Sequence, residues 1–115
     1  MSDDLSFDDY QRLAGRTAVY PGRDGDGIAA YPALGLAGEA GEVCEKVKKA
    51  IRDDGGRIDD ERREALEKEL GDVLWYVAAL CTELDLSMEE VARANVEKLT
   101  SRQQRGVLKG DGDSR

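Results

Sequence analysis

Apolar residues recur along this chain at steps of three and four, the interval at which one face of an α-helix repeats. Four segments carry the pattern. The first runs from about Ser6 to Val19, where Tyr10, Leu13, Ala14, Thr17 and Ala18 share a side, and Ser6 with Asp9 supplies a start signal. The second opens near Pro32, a residue favoured in a first helical turn, and reaches about Arg52 with Leu36, Ala40, Val43, Val47 and Ile51 on its apolar side. The third spans roughly Glu61 to Leu84 behind a cap at Asp59 or Asp60. Its second half, with Val73, Leu74, Val77, Leu80 and Cys81, is apolar around much of its circumference, as a central and most buried helix should be. Ser87-Met-Glu-Glu90 reads as a capping box that opens the fourth, whose inward residues are expected to be Val91, Ala94 and Leu99.

The breaks between these segments are built of turn residues. Tyr20-Pro-Gly-Arg-Asp-Gly-Asp-Gly-Ile28 and Asp53-Asp-Gly-Gly-Arg-Ile-Asp59 are rich in glycine and aspartate, and neither can continue a helix. The pattern therefore predicts an all-α, four-helix bundle. At 115 residues it forms one domain, over residues 1–102, with a glycine-rich polar tail over 103–115 expected to be flexible until something binds it.

Composition narrows the chemistry. Seventeen basic residues stand against 25 acidic ones for a formal charge of −8, which repels a nucleic-acid backbone rather than releasing its counterions, so nucleic acid is not an expected partner. The chain contains no run of membrane-spanning length and no leader-like N-terminus, so a cytoplasmic protein without a membrane partner is expected. Cys44 and Cys81 both fall within apolar helical patterns and read as reduced core residues, with a bridge between them the lesser reading. Histidine is absent altogether. That removes histidine-dependent nucleophilic catalysis, ordinary zinc sites and the histidine-containing di-iron bundle, and leaves a site built from oxygen ligands.

Two pairs of acids fit that requirement. Glu39 and Glu42 lie three residues apart on the second helix, and Glu69 and Asp72 three apart on the third. Such spacing puts each pair on one face, about one turn apart. If the two helices pack side by side, four carboxylates converge and repel unless cations sit between them. Magnesium, with manganese as a substitute, suits an all-oxygen site and retains positions for water and substrate phosphates. Asp72 also stands where an otherwise apolar helix turns inward. Gly35, Gly38, Gly41 and Gly71 nearby suggest close helix approach or room for a ligand. A single Glu-x-x-Glu is common on solvated faces, and Glu61, Glu64, Glu67 and Glu83 are assigned to that background.

Gly38-Glu39-Ala-Gly-Glu42-Val-Cys-Glu45, followed by Glu69-Leu-Gly-Asp72-Val-Leu-Trp-Tyr76, resembles the Glu-x-x-Glu and Glu-x-x-Asp motifs of the all-α, MazG-like nucleotide pyrophosphohydrolases. Tyr10-Gln11, Thr17-Ala18, Tyr20-Pro21 and Asn95-Val-Glu-Lys98 before Arg102 extend the likeness to a phage and bacterial subgroup. The resemblance implies an enzyme that splits a nucleoside triphosphate into the monophosphate and pyrophosphate. It also implies that Glu39, Glu42, Glu69 and Asp72 hold magnesium, and that copies assemble as a homodimer or homotetramer with sites near the subunit interface. Many relatives carry a glutamate directly before the first motif glutamate. Here that position is Gly38, a feature shared with the dCTP-hydrolysing branch, and the general base is left open with Glu45 as a candidate.

Cationic residues offer counter-charge for phosphates. Lys98 and Arg102 lie four apart on the fourth helix, with Asn95 beside them for sugar or base, and Lys46 follows the acids on the second. Arg105 and Lys109 on the tail are candidates to close over a nucleotide, and Tyr20 and Tyr31 to line a base pocket. Trp75 and Tyr76 read as core or interface residues. Two other functions compete: a non-catalytic helical module that senses nucleotides or binds a protein, and a phosphoribosyl-ATP pyrophosphohydrolase.

Overall fold

A computed structural model describes residues 4–23 and 29–115; residues 1–3, and positions 24–28 of the loop expected after Tyr20, lie outside it. Four helices follow in order: α1 (Phe7–Gly15), α2 (Ala30–Asp54), α3 (Asp60–Glu83) and α4 (Met88–Gln104). No strand occurs among the described residues, so the all-α expectation holds. None of the helices is long and apolar enough to cross a membrane.

The helix starts follow local chemistry. Ser6 and Asp9 form a reciprocal capping box at α1, Asp59 accepts from the Arg62 amide at α3, and Ser87 accepts from the Glu90 amide at α4. Each oxygen satisfies an amide that the first turn leaves without a helical partner. Gly55 and Gly56 end α2 with φ of +60° and +86°, a conformation that glycine adopts without strain. The Gly56 amide donates to the Ala50 carbonyl at 2.9 Å, and the chain reverses into α3.

α2 and α3 form an antiparallel pair with the largest interface in the chain, α1 packs across α3, and α4 rests on α1 and more lightly on α3. α4 makes no packing contact with α2 among the described residues. The core is small: Ala14, Ala78, Cys81 and Met88, with Tyr10, Trp75 and Val77 laid against it. At Gly35 a Cβ would run into the Tyr76 ring, so this glycine does permit close approach of α2 to α3. Gly38, Gly41 and Gly71 meet nothing and mark open space instead.

Three expectations need correction. α1 stops at Gly15 instead of Val19, because the Arg16 and Thr17 amides tighten to i−3 carbonyls and the Thr17 hydroxyl and Arg23 guanidinium take up the freed carbonyls of Ala14, Gly15 and Ala18. On α4, Val91 and Leu99 are each 42% exposed and Ala94 is exposed too, whereas Met88 and Arg102 are buried. The helix is seated at its N-terminal end, where Gln11 accepts from the Met88 amide and donates to the Leu86 carbonyl, both at 2.8 Å, and Asp8 accepts from the Ser87 hydroxyl at 2.7 Å. Cys44 lies on the exposed side of α2 and only Cys81 is buried; both are free thiols.

The tail folds back along α4. Arg115 donates to the carbonyls of Val107, Leu108 and Gly112, and Asp113 pairs with Lys98 and Arg102. Positive φ at Gly106, Gly110 and Gly112 makes that return possible.

Candidate metal centre

The antiparallel pairing of α2 with α3 sets Glu39 opposite the Glu69–Asp72 pair. One carboxylate oxygen from each of Glu39, Glu69 and Asp72 lies within 4.8 Å of the others, close enough for a single cation to touch all three. Their spacing explains the grouping: Glu69 and Asp72 are one turn apart on α3, and Glu39 reaches across from the facing helix. Glu42, one turn along α2, is exposed and outside this close group, although its charge reaches Glu39.

The electrostatics record the crowding. A hydrogen bond shared with Glu69, then partial burial, then the charges of Asp72, Glu69 and Glu42 raise the Glu39 carboxyl above its ordinary range. A cation placed among these acids would offset that repulsion and lower the carboxyl again. Glu69 carries a second sign of a missing partner. Its Oε1 is 3.5 Å from the Lys46 ammonium, while its Oε2 is buried and accepts no hydrogen bond. A buried carboxylate oxygen without a donor is costly, and a divalent ion is the kind of partner an all-carboxylate donor set selects. The residues present therefore fit a hard cation.

The remaining candidates fall into two groups. Lys46 joins the acids from α2. Glu45 instead pairs with Lys48 at 3.0 Å, and that hydrogen bond lowers its carboxyl below the ordinary range and keeps it ionised. Asn95 is exposed on α4, and Lys98 and Arg102 are engaged by Asp113, on a helix that does not touch α2. The structure thus assembles Glu39, Glu69, Asp72 and Lys46, and leaves Glu42, Glu45, Asn95, Lys98 and Arg102 outside that group.

Two tyrosines not assigned to the site from sequence stand near it. The Tyr76 hydroxyl is raised first by burial and then by the charges of Tyr31, Glu39 and Asp72, and that of Tyr10 by burial and then Asp72. Tyr76 follows Asp72 by four residues, so helical spacing alone could have found it. Tyr10 comes from α1 and has no local signal. Tyr20 and Tyr31 stack face to face at 5.2 Å, and Trp75 meets the edges of Tyr20 and Tyr76. These rings form one aromatic group, which Tyr76 links to the charges of Glu39 and Asp72.

No solved structure matches the chain. The chain is 50% identical over 114 residues to the Gene 37 protein of Mycobacterium phage L5, an alignment that covers 96% of this chain and 100% of that one. A family model, the MazG nucleotide pyrophosphohydrolase domain, matches residues 32–107, a span that contains the acidic site, all of α3 and α4, and α2 from its third residue onward. On that match the chain belongs to the MazG nucleotide pyrophosphohydrolase family.

Proposed function

We propose that this chain is a magnesium-dependent nucleoside triphosphate pyrophosphohydrolase, which uses water to cleave an NTP or dNTP between its α and β phosphates and yields the monophosphate and pyrophosphate. The observation that carries this reading is the Glu39–Glu69–Asp72 group on facing helices, in which Glu69 keeps a buried Oε2 without a hydrogen-bond partner, in a chain of that family. Bound there, magnesium, or manganese in its place, supplies positive charge to phosphate oxygens and makes water a stronger acid.

The chain's own residues take distinct parts. Glu39, Glu69 and Asp72 hold the cation, and Glu42 completes the set from one turn away on α2. Lys46, now resting on Glu69, is close enough to lend its charge to a phosphate that enters beside the acids. Glu45 is the candidate to take a proton from water once it leaves Lys48, whose hydrogen bond lowers its carboxyl and weakens it as a base. Asn95, Lys98 and Arg102 serve the sugar and phosphates. Such activity suits the cleansing of nucleotide pools in the cytoplasm.

The test is direct. Purified protein is incubated with a panel of NTPs and dNTPs plus magnesium, and pyrophosphate is measured. At least one substrate should turn over, with Asp72→Asn slower by about a hundredfold or more, on the scale of several kcal/mol of lost charge stabilisation. No turnover of any substrate, or full turnover by both Asp72→Asn and Glu42→Gln, sinks the assignment.

A further inference from the structure

We propose that Lys98 and Arg102 form a binding site for a phosphoryl anion, and that the chain's own Asp113 occupies it as an internal competitor. The site resting on α4 is built. Arg102 is 5% exposed, on a helix whose other buried residue is Met88. Its Nη2 donates to the Asp113 carbonyl at 2.6 Å and to Asp113 Oδ1 at 3.0 Å, and the Lys98 ammonium reaches the same Oδ1 at 2.9 Å. Two cations therefore converge on one oxygen of a single carboxylate.

That occupant fits incompletely. The Arg102 Nε is buried and has no hydrogen-bond partner. A guanidinium presents its donors as a rigid fork that a tetrahedral phosphoryl group fills with two oxygens, leaving a third for an ammonium. Asp113 fills part of the fork and leaves Nε bare. It is also loosely set: its side chain is 83% exposed, on a segment that turns back through Gly106, Gly110 and Gly112. Lys98 and Arg102 hold its carboxyl below the usual carboxylate range, so at neutral pH it competes as an anion.

An internal competitor weakens an outside ligand by the fraction of time the site stands open. An ion pair whose anionic partner stays exposed to water is a weak latch. Removing it should therefore tighten phosphoryl binding by about three- to tenfold, less at high salt. The proposal names the regulation of residues that the functional reading gives to the phosphates, and rests on that reading for its biological use. The binding itself does not depend on it.

The experiment is calorimetric titration of the full chain with inorganic pyrophosphate in EDTA, where the acidic centre holds no cation. A parallel arm with a nucleoside triphosphate tells whether the phosphoryl group is read free or on a nucleotide. Asp113→Asn should bind one or both ligands three- to tenfold more tightly than the unaltered chain. Lys98→Met should weaken binding, and Asp113→Asn added to Lys98→Met should gain less than it does alone, since both act on one site. Amide exchange over residues 107–113 should quicken when ligand is added to the unaltered chain. The proposal is overturned if Asp113→Asn leaves both affinities unchanged, if Lys98→Met binds as well as the parent, or if no form binds either anion. Turnover with magnesium but no effect of Asp113→Asn removes the latch and spares the enzyme; tighter binding without turnover does the reverse.

Discussion

Single side chains around Glu39 decide how the site responds to protons. Its carboxyl is raised by Glu69 and the neighbouring acids, so the folded state holds a proton that the unfolded chain releases at the ordinary value of about 4.3. The stabilising share of that proton is complete below the unfolded value and is lost as pH rises through the folded one. Without divalent metal, Glu39→Gln should therefore melt with the parent near pH 4 and above it at pH 7. Magnesium at pH 7 should reverse the order by lifting only the parent. Thermal unfolding at both pH values, with and without magnesium, measures this, and a gap independent of pH contradicts it. Glycines near the same acids give a second contrast. Gly41→Ala meets open space and should gain about 0.5–1 kcal/mol from helix propensity, while Gly35→Ala drives a Cβ into the Tyr76 ring and should lose about 1–3 kcal/mol. Denaturant midpoints of the two variants should move in opposite directions.

At the scale of elements, what was legible in the sequence was local. Ser6, Asp59 and Ser87 start their helices where their spacing said, and Gly55–Gly56 end α2, because capping and positive φ are decided within a few residues. The acid pairs were readable for the same reason; of the four, Glu39, Glu69 and Asp72 lie together, and Glu42 lies outside their close group. Misreadings arose where tertiary seating intervenes. The apolar stripe of Val91, Ala94 and Leu99 has the right period, yet α4 is pinned by Gln11 and Asp8 in an orientation that buries Met88 and Arg102. Asp113 lies 15 residues beyond Lys98, and no helical spacing could announce that pairing. Ser87 shows how cap and seat combine: it accepts from the Glu90 amide and donates to Asp8 across the α1–α4 junction. Ser87→Ala should cost about 1 kcal/mol from the cap. A loss confined to α4, with amide exchange at residues 88–91 quickened and α1 unaffected, would show that the Asp8 link contributes nothing.

The whole chain exposes more apolar surface than a self-sufficient domain of its size should. Its radius of gyration is 17.1 Å, against roughly 13 Å for a compact chain of this length. Ile51 is 63% exposed, Leu34 74% and Val96 62%, and Val91 and Leu99 on α4 are partly exposed as well. Four helices that bury chiefly alanines, one cysteine and one methionine gain little from hydrophobic burial and need a further surface to cover. A second copy supplies that surface without any new sequence, and a two-fold contact repeats the same stripe on both sides. The protein is therefore expected to sediment as a homodimer or homotetramer at micromolar concentration. Val96→Glu sets like charges in register at such a contact, and it should shift the mass toward the monomer and lower the melting temperature together. Analytical ultracentrifugation of both forms checks this: a parent that sediments as a 12.6 kDa monomer at every concentration removes the assembly, and with it the reason for these exposed faces.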